Sequence, residues 1–132
     1  MPTPTILRRM RDLPNFEMAP DSPDVRNWLV RGGDGQPLGT VHELLVDPEA
    51  RQVRYLNVAL EPGLPGVPPP PPHADTRILL PVAAVNIDPE GPSVFITSLR
   101  RDNVASYPPF IDFMLPPDYE AAMQQALGPQ QV

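Results

Sequence analysis

The chain predicts a mainly β fold, a small and partly open antiparallel β-barrel of about five to six strands with short terminal helices. Short apolar runs rich in Val, Leu and Ile recur, each closed by a Gly-rich or Asp-Pro turn. The 22 prolines avoid those runs: between Leu29 and Leu60 only Pro37 and Pro48 occur, each beside turn residues. A length of 132 residues suits one domain with a real core. Strands joined by short turns form a meander, which curls to close off its edges.

Taken in order, Ile6 to Leu13 reads as one or two helical turns with Arg8, Arg9 and Arg11 mostly outward. Trp28-Leu29-Val30-Arg31 reads as the first strand, ending at the turn Gly32-Gly33-Asp34-Gly35. The glycines Gly32, Gly33, Gly35 and Gly39 are expected to supply positive φ at hairpins. Leu38 to Val46 is the second strand, closed by Asp47-Pro48-Glu49-Ala50. Gln52 to Leu60 is the third, with Leu56, Val58 and Leu60 on one face and Val53 and Tyr55 on the other. Seven prolines then fall between Pro62 and Pro72. The unbroken run Pro68 to Pro72 prefers polyproline II at about 3.1 Å per residue, a stiff rod of roughly 15 Å. It is expected as a hairpin tip rather than a ligand for a proline-reading domain. Arg77 to Asp88 is predicted as one long strand, turned by Asp88-Pro89-Glu90-Gly91 into Ser93 to Ser98. Leu99 to Ser106 resembles a short helix stopped by Tyr107-Pro108-Pro109. Asp118 to Leu127 has high helix propensity, a cap at Asp118 and a stop at Gly128-Pro129. Phe110, Phe113 and Met114 form an apolar patch that covers the barrel or docks a partner.

Composition excludes several functions. Ten Arg, no Lys and sixteen acidic residues give a net charge of -6, which disfavours binding to a phosphate backbone. No Cys means no disulfide, thiolate zinc site or cysteine nucleophile. Ser22, Ser93, Ser98 and Ser106 sit in no nucleophile-elbow context. His42 and His73 are read as structural or surface residues. His42-Glu43 opens like a zincin motif, but Val46 stands where the second histidine is required. The glycines join strand to strand, with no Lys or helix N-terminus following, so they do not form a phosphate loop. Neither an enzyme, a cofactor nor a metal site is expected. The longest apolar stretch, Ile78 to Val85, is far below the ~20 residues of a membrane-crossing helix. No apolar run follows the N-terminal arginines, so no signal peptide is expected and the protein is read as soluble and cytoplasmic.

The strand residues resemble a known family. Asp24-Val25-Arg26-Asn27-Trp28, Asp34-Gly35-Gln36-Pro37-Leu38-Gly39-Thr40-Val41 and Leu44-Leu45-Val46-Asp47 resemble the opening of a PRC-barrel domain. So do Arg51 to Val58 and Leu79 to Asp88, while Ser98-Leu99, Tyr107-Pro108 and Asp118-Tyr119-Glu120 fit the family's tail. The family is named for the cytoplasmic domain of the photosynthetic reaction-centre H subunit. It also includes the C-terminal domain of a ribosome maturation factor that binds a small-subunit ribosomal protein. The resemblance implies a partly open six-stranded barrel used for protein docking, with no active site to carry over. Three positions depart from the pattern. Asn27 stands where the family usually has Gly, a position that Asn fills because it tolerates left-handed φ. Ala83 replaces a common Gly and Asn86 a common Arg.

These readings divide the chain into an N-terminal extension (1–20), a PRC-barrel domain (21–115) with a proline-rich loop (61–75), and a C-terminal helix and tail (116–132). The expected function is a non-catalytic protein-interaction module whose docking face includes Arg26, Arg54, Tyr55, Arg77 and the proline loop. Tyr55→Ala is expected to weaken a complex without unfolding the barrel. The partner is a protein of unassigned identity, with no nucleic acid and no membrane insertion expected. A homodimer through an exposed sheet edge is expected as well. The alternatives are a ribosome-assembly accessory, which lacks the maturation factor's N-terminal domain, and a small-molecule-binding barrel.

Overall fold

The computed structural model describes residues 5–13, 24–67, 76–110 and 113–127. In chain order these form β1 (Thr5–Ile6), β2 (Arg8–Arg9), a 3-10 turn (Met10–Asp12), β3 (Leu29–Gly32), β4 (Pro37–Asp47) and β5 (Gln52–Leu60). Then come β6 (Arg77–Pro81), a 3-10 turn (Val82–Ala84), β7 (Asn86–Asp88), β8 (Ser93–Ile96), a 3-10 turn (Val104–Ser106), β9 (Met114–Leu115) and α1 (Pro117–Leu127). The main sheet runs β6-β5-β4-β3-β8-β7, and β2 pairs with the second half of β4, which β3 leaves free.

Chain length forces the sheet to curl. β6 and β7 are its opposite edges, yet only Val82 to Val85 join them. Six strands laid flat would separate those edges by about 24 Å. Five Cα steps reach at most about 18 Å. The sheet therefore bends into a half-barrel that brings its edges near each other, as the fold class expected.

The strand pairing corrects the meander. β3 to β6 are antiparallel hairpin neighbours, but β3 and β8 are parallel, with Leu29 opposite Ser93 and Gly32 opposite Ile96. The predicted strand from Arg77 to Asp88 is two strands on opposite edges. The ladder with β5 ends at the Tyr55–Pro81 pair, and the 3-10 turn carries the chain across. Of Ile6 to Leu13 only Met10–Asp12 is helical, a single 3-10 turn. So short a segment cannot repay helix nucleation, and it pairs instead, Ile6 with Met114 and Arg9 with Leu45. Leu99 to Ser106 keeps only the 3-10 turn at its end. The C-terminal helix forms, but it starts at Pro117, with Asp118 inside its first turn and the Pro116 carbonyl accepting from the Tyr119 and Glu120 N–H groups.

A bulge on each central strand sets which side chains share a face. His42 is the extra residue between the pairs Val41–Val58 and Glu43–Asn57, and Arg54 is the extra residue between Leu45–Tyr55 and Val46–Val53. The first bulge keeps Val41 and Leu44 on one face although they are three residues apart. The rows Val41–Val58–Ile78 and Leu44–Leu56–Leu80 then cross three strands, and all six side chains are buried. The opposite face carries Glu43–Asn57–Leu79 and Leu45–Tyr55–Pro81. On this side the terminal segments pack, with Leu115, Met123 and Leu127 buried.

Asn27 adopts φ 71, as its place in the family pattern implied, and its N–H donates to the Val41 carbonyl at 2.7 Å. Of the four glycines expected to supply positive φ, only Gly35 does, at φ 79. Gly39 is required for another reason: a β-carbon there would lie 2.1 Å from the Ala59 carbonyl oxygen, so β4 and β5 could not approach. The run Pro68 to Pro72 and His73 lie outside the described residues.

Candidate functional site

A cleft of about 470 Å³ opens where β5, the start of the Val82–Ala84 turn, β1 and α1 meet. Its polar groups come from β1, β5, α1 and the end of β4. Thr5 is set by the β1–β9 ribbon, Arg54 by the β5 bulge, Asp47 by the end of β4, and Glu120 and Gln124 by successive turns of α1. Val53, Pro81 and Val82 supply apolar wall.

Glu120 organises the cleft. One carboxylate oxygen accepts the Thr5 hydroxyl, and the other accepts the Tyr55 hydroxyl at 2.8 Å. Burial, and the negative carboxylate it donates to, push the Tyr55 phenol well above the ordinary tyrosine value, so it stays a donor. Asp47 Oδ1 accepts the Glu49 and Ala50 N–H groups at 3.0 and 3.3 Å, which holds the turn after β4. Asp47 Oδ2 lies 3.7 Å from Arg54 Nη2. Arg54 is the cation at the rim, with about half its side chain exposed (52%). Every carboxylate in the cleft is thus tied to a hydroxyl, a turn or a guanidinium. Among the described residues no group of three or more His, Cys, Asp or Glu could hold a metal ion.

A second polar cluster fastens the N-terminal side. Glu43 is 2% exposed and accepts Arg11 Nε at 2.7 Å and the Leu44 N–H at 3.1 Å, with Arg26 Nη1 3.7 Å away. Arg26 also grips Asp24, which holds that carboxyl below the usual range. Across the ladder from Glu43, the Asn57 side-chain oxygen is buried without a partner.

Of the four residues expected to form a docking face, the structure brings Arg54 and Tyr55 together and sets Arg26 and Arg77 apart from them. Arg26 belongs to the Glu43 cluster, before β3 begins. Arg54 and Tyr55 lie together at the cleft, where Tyr55 is a core residue at 8% exposure whose hydroxyl donates to Glu120 on α1. Truncation of Tyr55 therefore removes core packing. Arg77 stands opposite Ala59, at the far end of β5 from Arg54, and its carbonyl accepts the Phe110 N–H at 2.8 Å. The expected apolar patch divides. Phe110 and Phe113 pack edge to face, 5.4 Å between ring centroids, against the core, while Met114 is exposed beside Ile6. Sequence reading missed Thr5 and Glu120, which stand 115 residues apart and carry no local signal.

A curled half-barrel, held by buried ladders and roofed by its own terminal segments, defines a class of small β-barrel domains. A family model for the PRC-barrel domain matches residues 21–102. The chain belongs to the PRC-barrel domain family. A comparison with curated proteins finds no match. No helix among the described residues is long and apolar enough to cross a membrane.

Proposed function

We propose that the protein is a non-catalytic interaction module that recognises a protein partner at the cleft between β5 and α1. The observation that carries this reading is Glu120, whose two oxygens are both consumed in tying α1 to β1 and β5, while the half-exposed Arg54, Gln124 and an apolar wall line the rim. A carboxylate so engaged is not placed to move protons for a substrate. A rim with one cation, amides and apolar wall suits a surface that orients a partner through hydrogen bonds and packing. Cytoplasmic placement belongs to the same reading.

Affinity capture of the tagged full chain from its native lysate, against the Arg54→Glu variant, tests it. A stoichiometric protein retained through a high-salt wash and lost at least ten-fold on Arg54→Glu supports the reading. A partner retained equally by both chains moves the interface elsewhere. A cleft of this volume also falls within the range of small-molecule pockets. A melting temperature raised by several degrees by a library compound, and unaffected by that compound in Arg54→Glu, would replace the protein with a small ligand.

A further inference from the structure

We propose that β7 is a self-association edge, pairing antiparallel with β7 of a second copy of this chain about a two-fold axis through Ile87. The inference stands apart from the cleft, which uses other strands. β7 has one neighbour, β8, and its other side carries no strand among the described residues. It is short and ends in Asp88, but it holds no proline and no bulge, and Ile87 is 40% exposed at its centre. An edge with unpaired backbone groups and an apolar centre is a template for another strand.

The residues select both the occupant and the register. A two-fold axis at Ile87 places Ile87 beside its own copy and Asn86 opposite Asp88 of the second copy. An amide then faces a carboxylate at both ends, which is the self-complementarity an isologous interface requires. Asp88 Oδ1 is committed to the Glu90 and Gly91 N–H groups at 3.1 and 3.3 Å, and Oδ2 stands outside those bonds. Sliding the axis to Asp88 would set carboxylate against carboxylate, and Pro89 ends the ladder there for want of an N–H. A three-residue ladder is short, so the association is expected to be concentration-dependent and strengthened by salt, given a net charge of -6 per copy.

The chain contains no Cys, so single cysteines report position without background. Ile87→Cys, Ile6→Cys and Met114→Cys each replace a large exposed apolar residue. Under mild oxidation of the full chain, Ile87→Cys is expected to form a covalent dimer at least ten-fold faster than the other two. Sedimentation equilibrium of the unmodified chain should show monomer and dimer in exchange. Ile87→Lys should weaken the dimer at least ten-fold, and Asn86→Asp should weaken it at low salt and recover at high salt, with far-UV circular dichroism unchanged in both. A chain that stays monomeric at all concentrations overturns the proposal. So does faster cross-linking at position 6 or 114, or a dimer indifferent to both charge substitutions.

Discussion

At one edge of the sheet, β6 runs beneath residues 107–110, whose Phe110 N–H donates to the Arg77 carbonyl and whose Tyr107 hydroxyl donates to the Leu79 carbonyl at 2.5 Å. At the other edge, β7 presents Asn86, Ile87 and Asp88 with no such cover among the described residues. Residues 77 and 79 alternate with 78 and 80, which face β5, so the two capped carbonyls both point off the sheet. Pro81 occupies the next outward position and has no N–H to offer. The tail thus stands in for a seventh strand along β6 without forming one. Two of the three tyrosines serve this roof, Tyr107 on Leu79 and Tyr119 on the Pro109 carbonyl at 2.6 Å, while Tyr55 ties α1 through Glu120. The difference teaches that, among the described residues, one edge is guarded by a covalently attached segment and the other is left open.

The contrast breaks most severely at Tyr107. Its ring is buried, and Tyr107→Ala should cost about 3–5 kcal/mol in urea unfolding, the range for emptying a buried aromatic site. Tyr107→Phe keeps the ring and leaves the Leu79 carbonyl without its donor. The expected loss is about 1–3 kcal/mol, with the urea m-value unchanged.

Alkaline pH sharpens the same point. Burial raises all three phenols, Tyr119 to about 12 and Tyr55 and Tyr107 also upward, with Tyr107 raised further by the neighbouring tyrosines. Above pH ~10 an unfolded tyrosine loses its proton while the folded ones keep theirs, so the unfolded state gains. The stabilisation is complete below about pH 10 and is lost as pH rises through the folded values. Stability measured from pH 8 to 11.5 should fall over the upper part of that range, and less steeply in Tyr107→Phe. The smallest effect belongs to the bare edge. Ile87→Lys should change monomer stability by no more than about 0.5 kcal/mol, because that side chain is 40% exposed and lies outside the core cluster.

The strands were legible because apolar alternation and Asp-Pro turns are local signals. Asp47 and Asp88 each accept from the two N–H groups that follow their Pro, as the repeated Asp-Pro-Glu sequence suggests. Asn27 was legible too, since φ > 0 narrows the choice of residue. What escaped was non-local. Ile78 to Val85 reads as one apolar run, and only the need to reach the other edge of a curled sheet divides it. Arg8 and Arg9 sit in a segment with helical spacing, but the unpaired half of β4 claims them. Gly39 looks like a turn glycine until β5 is laid beside it. At the cleft, Tyr55 and Glu120 are 65 residues apart, so their bond could not be read from either neighbourhood.

Native-state hydrogen exchange at Phe110 tests the account most directly. If residues 107–110 roof β6 as a working part of the sheet, the Phe110 amide opens with the same free energy as the Ile78 and Leu80 amides that pair with β5, and it loses that protection in Tyr107→Phe. A Phe110 amide that exchanges near its unprotected rate while Ile78 and Leu80 stay protected would contradict it, because the β6 edge would then be as bare as the β7 edge.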